Sequence, residues 1–183
     1  DIWEFLFRSF SLRPEREAHV IAGASMGGTS AFNLAFKHKE KFGSIAGIMP
    51  KLDLLYCDCH GNQHADFDPN CLGRCEYRPW ASAGRMWILA LRQGKVMRPV
   101  YGRAANVRRH GPANNPVEML SSYDVKPGEF EMFISYGCRD EYNADAESQS
   151  FLYYAGLRGI TARVEVNPTG GHSHETGKSA MPA

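Results

Sequence analysis

Three polar residues stand where short apolar runs give way to turns: Ser25 in "IAGASMGGTS", Asp140 in "YGCRDEYN" and His172 in "PTGGHSHET". A serine hydroxyl attacks a carbonyl only when a base removes its proton, and an imidazole serves as that base when a carboxylate fixes its tautomer. Gly23-x-Ser25-x-Gly27 falls between a predicted strand and a predicted helix, so the serine would sit on a sharp turn with its hydroxyl lifted clear of a sheet. Such a turn strains the serine backbone, and a side chain at either flanking glycine would strike the neighbouring strand or helix. Met26 opens the helix, so its amide would face a developing oxyanion with the helix dipole behind it. Serine, then acid, then histidine is the chain order this geometry requires. Asp140 would accept the Nδ1 proton of His172, while Nε2 takes the Ser25 proton and returns it to a leaving alcohol. Activity would then rise as His172 loses its proton, near neutral pH.

Competing residues have other readings. Glu141 is expected to face solvent near a helix start, and Asp145 to sit early in that helix, where the dipole favours it. His174 would be the base if the loop were shifted by two residues. His19, His38 and His110 read as structural or exposed. Cys57, Cys59, Cys71 and Cys75 form C-x-C followed by C-x-x-x-C, interleaved with His60 and His64. Two disulfides, a structural zinc site and free thiols all remain open for these four. Cys138 reads as an unpaired residue near the site. Asp66-Phe67-Asp68-Pro69-Asn70 begins like a calcium loop but lacks its glycine and its closing glutamate, which makes it a turn. Tyr77, Trp80, Trp87 and Tyr101 either line a pocket or build the core of their own segment.

Positioning these groups requires alternating elements. "DIWEFLF" has helical spacing that ends before Pro14, and residues 19 to 24 form a short buried strand. A helix follows the glycines and stops at Gly43 with lysines near its end. "SIAGIMP", "EFEMFISYG" (129 to 137) and "TARVEVNP" (161 to 168) read as further strands, with a helix from Ala144 to Leu157 between the last two. The tail from Gly170 reads as a loop entering a helix. Residues 51 to 120 break this rhythm. They are polar and turn-rich, with only "AGRMWILALRQG" looking helical, and are expected to form an insertion or lid. Alternating strands and helices predict an α/β fold with a mostly parallel sheet, whose ligands meet the carboxyl ends of the strands.

At 183 residues and 43% hydrophobic content, a single domain over residues 1–183 is the default. A net charge of +1 suggests neither nucleic acid nor an anionic membrane as partner, and Arg103, Arg108 and Arg109 read as a solvated loop. No apolar run approaches the length of a membrane span. No cofactor or catalytic metal is called for. The opening on Asp1, in mid-helix and without a leader, reads as a fragment truncated at its N-terminus, so a missing signal peptide says nothing about export.

"LRPEREAHVIAGASMGGTSAFNLAFKHKEKFGSIAGIMP", with "YGCRDEYN" and "PTGGHSHET", closely resembles the putative-esterase family of α/β-hydrolases, which includes feruloyl and acetylxylan esterases, S-formylglutathione hydrolase (esterase D) and mycolyltransferases. The resemblance covers residues 1 to 50 and 129 to 176 and hardly touches the segment between. Two departures stand out: Lys39 replaces the usual proline of the helix end, and His174 replaces the tryptophan usual two places after the histidine. The resemblance implies an eight-stranded sheet whose first half, with the second oxyanion donor, lies outside this chain. It also implies a serine carboxylic-ester hydrolase of feruloyl or acetyl type acting on small or polysaccharide-linked esters. By analogy it implies secretion, which would suit disulfides. Acyl transfer on the same triad and a non-catalytic carbohydrate-binding module are the alternative functions.

Overall fold

The computed structural model describes residues 2–80, 82–86 and 89–179. In chain order the elements are α1 (Ile2–Ser9), β1 (Val20–Ala24), α2 (Met26–Lys37), β2 (Ser44–Ile48), β3 (Tyr56–Asp58), β4 (Leu72–Arg74), β5 (Ser82–Met86) and β6 (Leu89–Arg92). They continue with α3 (Gln93–Tyr101), α4 (Ala104–His110), α5 (Pro116–Ser122), β7 (Glu131–Gly137), α6 (Ala144–Gly156), β8 (Arg163–Asn167) and α7 (His174–Ser179). Four strands form one parallel sheet in the order β1-β2-β7-β8. All four run the same way: Ala24 and Ile48, the last residues of β1 and β2, lie level with Ser135 of β7, and Gly137, the last residue of β7, lies beside Asn167, the last of β8. The loops after β1, β7 and β8 therefore open on one edge of the sheet.

The aromatic face of α2 holds the helix to this sheet. Phe32 and Phe36 are buried with Phe151 of α6, Ile45 of β2 and Ile134 of β7. Phe32 meets Phe36 and Phe151 edge to face at 5.9 and 5.3 Å between centroids, an arrangement that favours the ring quadrupoles. His19, before β1, is structural as expected, with its ring nitrogens bonded to the carbonyls of Lys41 and Arg13.

The segment between β2 and β7 departs from the sequence reading. Residues 83–86 and 89–92 of "AGRMWILALRQG" lie in the antiparallel pair β5–β6 rather than in a helix, and Trp87 and Ile88 lie outside the described residues. Gly84 weakens a helix interior, and the apolar periodicity of so short a run does not separate the two states. Conversely, α4, α5 and the part of α3 beyond Gly94 form where no helix was expected. Gly94 and Pro99 mask α3, and Asn115-Pro116 is a helix-start signal that opens α5. Trp80 is exposed, whereas Tyr77 lines an apolar cavity of about 320 Å³ with Leu54, Met97, Val107 and Pro112.

Buried charge ties this segment to the sheet. Asp53 is fully buried and accepts from Arg74, from Ser150 Oγ at 2.7 Å and from Asn115 Nδ2 at 3.0 Å. Arg74 also pairs with Glu118 of α5, so β4, α6 and the Asn115 cap of α5 meet at the Asp53 carboxylate, and α5 itself is joined to it through Arg74. Removing one member would leave its partner charged and uncompensated. A second pair joins Lys51 Nζ to Glu147 Oε1 at 2.6 Å.

The cysteines follow none of the uniform readings. Cys59 and Cys71 are bridged, while Cys57 and Cys75 are free, as is exposed Cys138. β3 and β4 pair with Cys57 opposite Gly73, and the next two-residue step brings Cys59 beside Cys71. The Asp66–Asn70 string is a turn, closed by Asp68 Oδ1 accepting the Asn70 amide at 2.8 Å.

The serine turn is set by space. Ser25 has φ 53° and ψ −123°, a region non-glycine residues rarely occupy. A Cβ on Gly23 would lie 2.3 Å from the Gly27 carbonyl, and one on Gly28 2.9 Å from Pro50, whereas one on Gly27 would meet nothing within 4 Å. The expectation that both flanking glycines are sterically required is thus corrected: the crowded pair is Gly23 and Gly28.

Three outcomes follow from this packing. Gly23→Ala lowers Tm by roughly 10 °C or prevents folding, while Gly27→Ala changes Tm by no more than about 2 °C, as thermal unfolding will show. Alkylation of the native, unreduced protein followed by peptide mapping labels Cys138 first and Cys57 last, because burial pushes the Cys57 thiol up to about 12. Burial also raises Glu147 from 4.5 to about 7, although Lys51 opposes the shift. The native state then binds the extra proton between those values, so this group's stabilising contribution falls as pH rises through the window and is level above it. Glu147→Gln should remove that decline from a plot of Tm against pH, read as the difference from the parent protein.

Candidate active site

Each of the three sequence-predicted residues is carried past the carboxyl end of a strand. Ser25 follows β1 directly, and its amide donates to the Ile48 carbonyl at 2.8 Å, which locks the turn onto β2. Asp140 lies beyond β7, where the amides of Cys138 and Arg139 bond to the carbonyls of Asn167 and Gly170. These bonds hold the acid loop to the histidine loop that follows β8.

The structure brings the three side chains together. His172 Nδ1 lies 2.6 Å from Asp140 Oδ2, and His172 Nε2 lies 2.8 Å from Ser25 Oγ. With the ring proton on Nδ1 directed at the carboxylate, Nε2 is free to accept from the serine hydroxyl. The Asp140 side chain is completely buried and that of His172 is 13% exposed, so water competes little for the bond between them. The other carboxylate oxygen of Asp140 is also used: it accepts the amides of Tyr142 at 2.9 Å and Ala144 at 3.4 Å. Met26 opens α2, and its amide is one of the helix N-terminal donors that lack an intrahelical acceptor.

Two neighbours of Asp140 behave differently from expectation. Glu141 does not simply face solvent, because its Oε2 accepts the backbone amide of His172 at 2.9 Å. Gly171 allows that approach, since a Cβ there would lie 3.0 Å from Glu141 Oε1. The signal available in sequence was an acid next to Asp140, but nothing in the spacing says that the loop carrying His172 returns over it. Asp145 does occupy the first turn of α6, yet burial raises its pKa and its Oδ1 has no hydrogen-bond partner among the described residues. Tyr142 is a further missed residue. Its ring meets the His172 imidazole at a tilt of 67° and 4.9 Å between centroids, closing one side of the base. His174 starts α7, two residues beyond the ring that contacts Ser25.

Among the described residues, the group whose ligand atoms lie close enough to hold a metal is Cys59, His60 and Cys71, within 4.8 Å of one another. The bridge between the two cysteines takes both sulfurs out of a thiolate set, so the four-cysteine zinc reading does not describe this structure. No helix among the described residues is long and apolar enough to cross a membrane.

Chemically, the arrangement can move a proton from a hydroxyl to an imidazole while a buried carboxylate stabilises the resulting cation.

Comparison with known proteins gives the fold a wider setting. One solved neighbour is a ferulic acid esterase with 17% identity and a TM-score of 0.61, covering 98% of this chain and 54% of that one. FphF, a fluorophosphonate-binding serine hydrolase of Staphylococcus aureus, has 15% identity and a TM-score of 0.62 and covers 98% and 57%. An S-formylglutathione hydrolase from Agrobacterium tumefaciens has 15% identity and a TM-score of 0.59 and covers 98% and 50%. At such identities the likeness is one of fold, that of the α/β-hydrolases. This chain spans about half the length of each of these three structures. No curated protein matches the sequence. The family model described as "Putative esterase" matches residues 2–177, and the chain belongs to that family.

Proposed function

We propose that this chain carries the Ser-Asp-His site of a serine carboxylic-ester hydrolase, acting through an acyl-enzyme. The observation that supports it most is the unbroken run from Asp140 Oδ2 through both ring nitrogens of His172 to Ser25 Oγ, at 2.6 and 2.8 Å. In the first half-reaction Ser25 Oγ bonds to the ester carbonyl carbon as its proton passes to His172 Nε2. The Met26 amide stabilises the oxyanion, joined by a second donor from outside this chain. Collapse breaks the bond to the leaving oxygen, which takes the proton from Nε2 and departs as the alcohol. A water then repeats the sequence: its proton goes to Nε2, its oxygen bonds to the acyl carbon, and Ser25 recovers its proton as the acid leaves. Asp140 holds the imidazole in register throughout and balances its positive charge without itself being protonated.

The substrate class proposed is a small or polysaccharide-linked ester of feruloyl or acetyl type. The family match and the ferulic acid esterase neighbour support that choice over other esters. The segment at 51–120 is proposed as an insertion or lid that contributes to specificity. An oxidising, extracytoplasmic setting is part of the same proposal, supported by the Cys59–Cys71 bridge.

A fluorophosphonate probe and p-nitrophenyl acetate hydrolysis test the assignment on the purified full-length protein. Ser25→Ala should abolish labelling and lower kcat by on the order of 10⁴-fold or more, His172→Ala similarly, and Asp140→Asn by roughly 10⁴-fold. Labelling that persists in Ser25→Ala, or full activity in His172→Ala, overturns it. Product analysis with a competing alcohol separates hydrolysis from acyl transfer, and binding of the ester with no acyl-enzyme by mass spectrometry would indicate a non-catalytic module.

A further inference from the structure

Lys51 lies just past the end of β2, the strand between β1 and β7, and so between the loop carrying Ser25 and the loop carrying Asp140. Its backbone faces the first of these. The carbonyl of Lys51 accepts from Thr29 Oγ1 at 2.9 Å, one turn into α2 from Ser25, and the same hydroxyl lies 3.4 Å from the Ser25 carbonyl. Its side chain faces the second, where Nζ donates to the carbonyl of Tyr142 at 2.5 Å and pairs with Glu147 at 2.6 Å.

Tyr142 is the residue through which that contact reaches the chemistry. Its amide donates to Asp140 Oδ1, its ring packs on His172, and its carbonyl is the group that Lys51 holds. The next residue, Asn143, turns the chain in the left-handed region at φ 61°, which asparagine tolerates. Asn143 Nδ2 donates to the Gln63 carbonyl at 3.0 Å, so this peptide run is held at two adjacent residues, at Tyr142 by Lys51 and at Asn143 by Gln63.

The ion pair is a costly way to obtain mere stability. The Lys51 and Glu147 side chains are 13% and 10% exposed, and Glu147 Oε2 has no hydrogen-bond partner among the described residues. Asp53 and Asp140 both add repulsion at Glu147. Pairs this buried contribute little net stability against an apolar replacement. What the cation supplies here is direction: paired with Glu147, it points at a single carbonyl, that of Tyr142.

We infer that Lys51 is a positioning residue of the site, its ammonium, steadied by Glu147, fixing the Tyr142 carbonyl so that Asp140 and His172 are held against the turn that carries Ser25. The inference rests on the Ser-Asp-His reading above and adds to it a residue that does not touch substrate.

The test replaces both charges, Lys51→Met with Glu147→Gln, in the full-length protein, with active sites counted by fluorophosphonate titration. Per titrated site, kcat for p-nitrophenyl acetate should fall by about 10- to 100-fold while KM stays within about twofold, the signature of a misplaced rather than a missing group. Lys51→Arg, which keeps the cation, should recover part of the loss. Should the double variant not fold, Lys51→Gln, too short to reach the carbonyl, should show the same split between kcat and KM. A lowered Tm with unchanged kcat per site would overturn the inference and leave the pair a structural one. Activity surviving in Ser25→Ala would instead overturn the underlying reading and the inference with it, so the two failures are told apart by which variant stays active.

Discussion

The close approach between Gly23 and Gly27 governs the rest of the site. Because Gly23 has no Cβ, which would stand 2.3 Å from the Gly27 carbonyl, β1 can turn into α2 within a single residue, and that residue is left at φ 53°. Strain of this kind persists only when surrounding packing over-determines it. Here the anchors are the Ser25 amide on Ile48 and the aromatic contact of Phe32 with Phe36 and Phe151. The serine is thereby presented by the rigid part of the molecule. The histidine and acid loops must come to it.

That division of labour explains what could be read from the sequence. Ser25, Asp140 and His172 each follow an apolar run that ends in a turn, and parallel strands in register carry such turns to one edge. Local pattern and the order of the elements were enough to single out three side chains that the fold brings within hydrogen-bond distance of one another. Glu141, Tyr142 and Lys51 were not legible, because each acts through a contact made by backbone: an amide of His172, an amide and carbonyl of Tyr142, a carbonyl of Lys51. Backbone groups occur at every residue, so no side-chain pattern marks which of them will be used. The segment between β2 and β7 was misread for a related reason. Gly84, Gly94 and Pro99 carry opposite meanings in a hairpin and in a helix start, and the apolar periodicity of so short a run does not decide between them.

Charge is distributed so that the sheet edge is held from below as well as across. Asp53 gathers β4, α5 and α6 while Lys51 reaches the acid loop, and both residues come from the few that follow β2. The middle of the sheet thus fixes two things: where the irregular segment sits and how the acid loop is bent. Stability and site geometry share that short stretch, and substitutions there will tend to affect both.

The Cys59–Cys71 bridge closes a loop with a sequence separation of 12, and that loop contains Gln63, whose carbonyl holds Asn143. A covalent link of this span acts mainly on the unfolded chain, removing roughly 3 kcal/mol worth of conformational freedom. The stretch that carries the Gln63 carbonyl thus enters folding with less conformational freedom to lose than an open chain of the same length. The bridge thereby lowers the entropic cost of the contact that Gln63 makes with Asn143 in the acid loop.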